Sequence, residues 1–377
     1  MYSKEEVIEK ARKIHGNKYD YSKVNFKKVT DKVIIICPEH GEFIQEMRQH
    51  YRGQGCPKCG VGSRVMKRFG KKTSVSKKNE EKVKTPIDYI PEIIDFLSTI
   101  VDKDEILTNN RSILANGRGL DIVIPSKHIA IEFDGLFWHS EVKKEDRNYH
   151  LKKTNECEAK GYQLIHIFED EWIYKKEICK SRLLHILGVS SEKIFARKCE
   201  IKPLAYGEYN RFFEENHIQG NVKASYAYGL YYNDELISAM SFGTLRKNLG
   251  SSSKEGAYEL LRFANKIGYS VVGGASKLFK HFIKEVNPIE ITSYADRRWS
   301  IGNLYQKLDF TEDHRSQPNY FYIFGDTRKN RFGFRKDILI SKYGCKPEQS
   351  EHEFCLSQGW FRIYDCGTIV YKWKREA

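Results

Sequence analysis

No stretch of this 377-residue chain approaches the roughly 20 consecutive apolar residues that span a bilayer. The first residues, Met1 to Lys13, also have no apolar core between their charges. Neither a membrane span nor a secretory leader is expected, and the chain reads as cytoplasmic. Cysteine is scarce and its count of nine is odd. Without a secretory signal, that argues for reduced thiols and metal ligation over a disulfide framework. No internal repeat is found. What is present is an ordinary globular balance, 40% hydrophobic and 30% charged, on a chain long enough for about two or three domains. Lys plus Arg outnumber Asp plus Glu by 64 to 50, a net charge of +14. Such an excess favours polyanionic partners, because each phosphate neutralised releases condensed counterions. A merely soluble basic protein would show the same excess.

The composition changes along the chain. A polar helix over Lys4 to His15 and a strand over Lys32 to Cys37 open a small unit, residues 1–61. Residues 62–86 are rich in Lys and Arg and poor in apolar anchors, the pattern of a basic linker. Residues 87–193 alternate strand and helix: Leu120 to Ile124, His128 to Phe133, a helix Tyr149 to Lys160, a strand Gln163 to Phe168, and a helix Lys175 to Leu187. Residues 194–377 form a second α/β region, with a hairpin turning at Asn233 and Asp234 and a strand Tyr258 to Phe263. There Gly273 and Gly274 stand ahead of a helix marked by Leu278, Phe279, Phe282, Ile283 and Val286, and the tail is rich in aromatics. The fold class is therefore α/β multidomain.

Two constellations carry chemistry. Cys37 with His40, and Cys56 with Cys59, repeat a two-residue gap that lets one knuckle present both members of a pair to a tetrahedral Zn²⁺. Such a small unit cannot bury enough apolar surface alone, so the metal should hold its fold. The second lies in "GLDIVIPSKHIAIEFDGLFWHS". If its two strands form a hairpin, Asp121 lies across from Glu132, and alternation puts Asp121, Glu132 and Asp134 on one face. Leu120, Ile122, Ile131 and Phe133 then face the other way. Gathered carboxylates raise one another's pKa, and a hard divalent ion such as Mg²⁺ removes that penalty and can activate water against a phosphoryl group. His139 follows closely enough to move a proton. The plainer alternative is a set of strand-end carboxylates paired with Arg118, Lys127 and Lys152. Phe137 and Trp138 read as core, and Glu169, Asp170 and Glu171 as a solvated helix start.

Three resemblances sharpen this picture. The run from His15 to Cys59, with "CPEHGEF" and "GCPKC", resembles the zinc-ribbon module found ahead of phage homing endonucleases, which implies DNA binding. Glu92 to Leu187, with "LDIVIP", "IAIEFDGLFWHSE" and "YHLKKTNECEAKGYQLIHIFEDEW", resembles the very-short-patch repair endonuclease branch of the PD-(D/E)xK fold. That resemblance implies Asp121 and Glu132 as Mg²⁺ ligands with the Phe133 carbonyl, His139 as the active-site histidine, and Glu92 as a further carboxylate. Asp134 departs from it, standing where the wider fold has lysine, which shifts charge stabilisation onto metal or onto His139, His150 or Lys153. Cys199 to Phe324, with "SYADRRWSIGNLYQKLDF", resembles the GNAT-type acetyltransferase fold, Asn303, Leu304, Tyr305 and Phe310 matching its late helix and strand. Val271 stands where an acetyl-CoA binder of that type usually has Gln or Arg.

The expected assembly is therefore a zinc ribbon, a nuclease domain with a mixed sheet, and a GNAT-like α/β domain. The expected function is a metal-dependent homing-type endonuclease acting on double-stranded DNA in the cytoplasm of a bacterial host or phage-infected cell, with structural Zn²⁺ and catalytic Mg²⁺. Arg297, Arg298, Lys329, Arg331, Arg335 and Lys336 suit a DNA-contacting or scaffolding role, or equally a solvated face. The alternatives are a DNA-binding protein that no longer cuts, and a GNAT acetyltransferase associated with nucleic acid.

Overall fold

The computed structural model describes residues 3–16, 18–26, 28–38, 41–52, 54–56, 86–189, 192–245 and 255–375. The chain falls into two compact units, Met1–Val83 with Tyr322–Phe361, and Lys84–Phe321 with Arg362–Ala377. In the first, α1 (Lys4–His15) begins at a capping box in which Ser3 and Glu6 satisfy each other's backbone N–H groups. Strands β1 (Lys32–Cys37) and β2 (Gly41–Glu46) pair antiparallel from Lys32↔Glu46 to Cys37↔Gly41, and a single turn, α2 (Met47–His50), follows. Val7, Ala11, Tyr19, Tyr21, Val33, Ile35 and Met47 form the core. The basic linker expected over 62–86 lies almost wholly outside the described residues.

The second unit has two α/β halves. The first opens with α3 (Ile90–Leu97) and builds a four-stranded sheet from β3 (Leu107–Asn110), β4 (Leu120–Ile124), β5 (Ile129–Asp134) and β6 (Gln163–Phe168), in that spatial order. β5 and β6 are parallel and the other pairs antiparallel, so the sheet is mixed as expected. Ile122, Ile124, Ile129, Ile131 and Phe133 pack on one face with α3, α5 (Glu169–Tyr174) and α6 (Lys176–Ile186). The other face carries Val123, Ala130 and Leu164 beneath α4 (Tyr149–Ala159). Leu120 joins this second face, against the alternation, because the strand only begins there.

The second half begins with β7 (Glu192–Phe195), β8 (Glu200–Pro203) and α7 (Tyr206–Asn216). It continues through β9 (Tyr226–Tyr232), β10 (Glu235–Thr244), β11 (Ala257–Asn265), β12 (Tyr269–Val272), α8 (Gly274–Val286), β13 (Glu290–Asp296), α9 (Asn303–Gln306) and β14 (Thr311–Arg315). After β14, β15 (Tyr320–Phe324) leads into Tyr322–Phe361, which belongs to the first unit and holds β16 (Thr327–Asn330), α10 (Lys336–Tyr343) and α11 (Glu351–Ser357); β17 (Arg362–Tyr364) and β18 (Thr368–Lys374) complete the second unit. The seven-stranded sheet has the order β14-β18-β13-β11-β10-β9-β8. The β9–β10 turn uses Asn233 and Asp234, both at positive φ, as a two-residue hairpin requires. Phe282 of α8 stacks on Phe242 of β10 at 3.6 Å, so α8 covers one face, while Tyr209, Phe212 and Phe213 of α7 cover the other.

Two corrections concern surface and core. Trp138 is 50% exposed rather than core. Glu171 opens a helix as expected, but it is buried, and Arg298 binds both its oxygens at 3.0 and 3.1 Å. Arg298 also reaches Asp296 at 2.7 Å, and Arg297 reaches Glu158 at 2.7 Å and Asn155 at 2.8 Å. These two arginines are therefore buried ties between the two halves of the unit. They are a scaffold, not a solvated face.

Candidate functional site

The β4–β5 hairpin pairs Ile122↔Ile131, and continuing that register places Asp121 across from Glu132, as the alternation predicts. The pairing there is made by side chains. Asp121 Oδ2 accepts from the Phe133 N–H at 2.8 Å, and Glu132 Oε1 accepts from the Asp121 N–H at 3.3 Å. β6 brings His166 beside Glu132 on the same face through the parallel register Glu132↔His166. Above them, α4 presents His150, Lys153, Thr154 and Cys157, all buried, at the spacing that keeps side chains on one helical face.

Lys153 Nζ lies 2.7 Å from Glu132 Oε2 and donates to the Gly119 carbonyl at 3.1 Å. Burial works against the ammonium, but Glu132 outweighs it and holds Lys153 above its usual range, while burial pushes the Glu132 carboxyl up to about 8 against the pull of Lys153. Asp134, next but one along β5, turns to histidines instead. His166 Nδ1 donates to its Oδ2 at 2.9 Å, while His139 Nδ1 and His150 Nε2 lie 3.0 and 3.5 Å from its Oδ1. Burial raises the Asp134 carboxyl, but the three imidazoles reverse this and leave it well below the usual carboxylate range. Burial pushes His166 down to about 4 and lowers His139. A buried carboxylate ringed by three imidazoles results.

The expected carboxylates thus share a face but not a partner. Asp121 and Glu132 are joined to backbone and to Lys153, whereas Asp134 belongs to a histidine cluster. The cations expected to neutralise them are elsewhere: Arg118 pairs with Glu156, and Lys152 with Asp146 at 2.7 Å. The Phe133 carbonyl accepts from the Gly135 N–H at 3.2 Å. Glu92 is not brought into this group. It pairs with Lys176 and accepts from Trp172 Nε1 at 3.4 Å, on elements packed against the opposite face. Sequence reasoning missed His166 and Thr154. The only available signal was a histidine interrupting the apolar run "QLIHIF", which becomes meaningful only once the β5–β6 register is known. In the N-terminal unit, Cys37 and Cys56 are buried in one core cluster, while His40 and Cys59 lie outside the described residues.

A second candidate lies in the seven-stranded sheet. β11 and β13 run parallel but pair over only Ala257↔Glu290, Tyr258↔Ile291 and Glu259↔Thr292, after which they part. β11 continues along β10 to Asn265 and β13 along β18 to Asp296, leaving a fork between them. Ser293 Oγ donates to the Leu260 carbonyl at 2.9 Å at its base, beside the buried Tyr305 hydroxyl at 3.1 Å. The chain then enters β12, Gly273 and α8. Gly273 caps the helix at φ 78 without a side-chain hydrogen bond, and the first turn has no acidic residue. Gly273 is exposed, whereas Gly274 is packed, since a Cβ there would meet Val271 at 2.9 Å. Val271 is buried, so it supplies contact and no charge. β12 is flanked on one side by β7 in parallel register.

Residues 1–60 match a family described only as a protein of unknown function, DUF723. Two uncharacterised proteins of Acanthamoeba polyphaga mimivirus are similar: R892, 54% identical over 39 residues, and R47, 38% identical over 64 residues. These matches take in 10% and 17% of this chain and only 14% and 31% of those proteins. Among solved structures, a GNAT family acetyltransferase from Elizabethkingia anophelis with acetyl-CoA bound covers 47% of this chain and 99% of its own, at 15% identity and a TM-score of 0.28. The ribosomal-protein-S18-alanine N-acetyltransferase from Escherichia coli covers 48% and 95%, at 12% identity and a TM-score of 0.29. The chain is a mixed α/β, multidomain protein whose solved neighbours over about half its length are GNAT-like acetyltransferases.

The expectation of a DNA endonuclease is corrected on these findings. The solved structures named above are acetyltransferases. The carboxylates meant to share one Mg²⁺ are divided between Lys153 and a histidine cluster. The homing, hydrolase and nuclease labels fall with it.

Proposed function

We propose that the C-terminal half of the second unit binds an acyl-CoA-class ligand and transfers its acyl group. The observation that carries this reading is the three-residue β11–β13 pairing that opens beside the uncapped N-terminus of α8. An extended, amide-bearing arm can pair with the strand edges that the fork exposes, much as an added strand would. A pyrophosphate suits the N–H groups and positive dipole end of α8. Because Val271 brings no charge, recognition of the phosphates falls on that backbone. Acetyl-CoA supplies an activated thioester: a nucleophilic acceptor such as an amine attacks its carbonyl, and the C–S bond breaks. The buried Tyr305, whose hydroxyl burial keeps protonated, stands at the base of the fork as proton donor to the departing CoA thiolate, regaining a proton from the acceptor through solvent.

Calorimetric titration of the full chain with acetyl-CoA tests this directly. Saturable binding is expected, lost in Ser276→Glu, which adds a carboxylate where the phosphates would sit while remaining favourable for the helix. No binding heat at millimolar ligand would remove the proposal.

A further inference from the structure

We infer that Asp134, His139 and His150 form a binding site for a first-row divalent transition ion of the Zn²⁺ class, independent of the cysteine-rich N-terminal unit. Three atoms converge: Asp134 Oδ1, His139 Nδ1 and His150 Nε2, separated by 2.9, 3.0 and 3.5 Å. Neighbouring ligands of a tetrahedral ion with bonds of about 2.0–2.1 Å stand ~3.3 Å apart. The triangle therefore has the size of one face of such a site.

Hydrogen bonding alone accounts poorly for this triangle. Asp134 is fully buried, yet its Oδ1 has no hydrogen-bond partner. His139 Nδ1, 3.0 Å from that oxygen, is also 2.9 Å from His150 Nε2, so its one ring proton cannot serve both. A buried carboxylate oxygen without a partner is costly, and a cation between it and two imidazole nitrogens removes the cost. The surrounding contacts have the form that ligated groups require. His150 Nδ1 donates to the Tyr364 carbonyl at 2.7 Å, which leaves Nε2 as a lone-pair acceptor aimed at the triangle, hydrogen-bonded there to His139 Nδ1 at 2.9 Å. His166 holds the other oxygen of Asp134 and has Thr154 Oγ1 3.0 Å from its own Nε2. His166 is also near enough, with Asp134 and His150, to serve as a ligand itself. Two imidazoles and one carboxylate favour a borderline transition ion over Mg²⁺. The His139 side chain, 14% exposed, opens the site toward solvent, so a water can complete the shell.

The test is a Co²⁺ and Zn²⁺ titration of the full chain, with elemental analysis and visible absorption. Wild-type protein should bind one equivalent more than Asp134→Asn, and the Co²⁺ in that site should lack thiolate charge-transfer absorption. His139→Ala should weaken the same equivalent at least tenfold. If Asp134→Asn does not fold by circular dichroism, His139→Ala decides alone, since its side chain reaches solvent. Equal stoichiometry and affinity in wild type and the folded variants, or cobalt bound only with thiolate bands, overturns the inference.

Discussion

The two α/β halves of the second unit treat polar groups at strand ends in opposite ways. Around β5, every acidic side chain is turned inward and held: Asp121 by a backbone N–H, Glu132 by Lys153, Asp134 by histidines. Between β11 and β13, the side chains are mostly apolar or internally bonded, and backbone edges and the helix N-terminus are left open. Charged residues in a strand are therefore a poor guide to where a large ligand enters. On the acyl-CoA reading proposed above, the place where parallel strands stop pairing is the better guide.

The largest effect that would break the comparison is on stability. Lys153→Met leaves Glu132 buried without its cation, and a loss of about 3–5 kcal/mol is expected in denaturant unfolding. The double variant Lys153→Met, Glu132→Leu should recover most of that loss, and if it does not, packing rather than charge holds the cluster. Ser276→Glu at the fork should by contrast shift stability by no more than about 0.5 kcal/mol, its effect appearing only in ligand binding.

The acid response separates the halves next. His166 titrates near 4 in the folded chain and near 6.5 once unfolded, so it binds more protons in the unfolded state between those values. Stability should fall as pH is lowered from about 6.5 toward 4, by a contribution on the order of 3 kcal/mol. Asp134, depressed in the fold, adds its own loss only below the unfolded carboxylate range. Thermal melts of wild type and His166→Phe across pH 7 to 5 read this out, and parallel curves would show that His166 does not carry it. A smaller shift should come from ligand. Acetyl-CoA at about 100 times its Kd should stabilise wild type by about 2.7 kcal/mol and leave Ser276→Glu unmoved.

Much of this architecture is legible in the sequence. The limits of α1, β1, β4 and β6 follow from periodicity, and Asp121 opposite Glu132 follows from hairpin arithmetic. The short strands β3 and β7 escape notice because four residues such as "LTNN" carry no alternation. What decided the acidic site was also hidden, because contacts such as Lys153 to Glu132 and His166 to Asp134 depend on helix placement and parallel register. Neither is written in local spacing. Arg297 and Arg298 misled for a related reason: a basic pair on a basic chain reads as surface until its acidic partners, more than a hundred residues away, are seen beside it.

Hydrogen–deuterium exchange on the full chain with and without acetyl-CoA would locate the ligand on the molecule itself. New protection should be confined to the free edge of β11 and the first amides of α8, roughly residues 261–265 and 274–276. Protection elsewhere, or none at saturating ligand, would contradict the acyl-CoA reading.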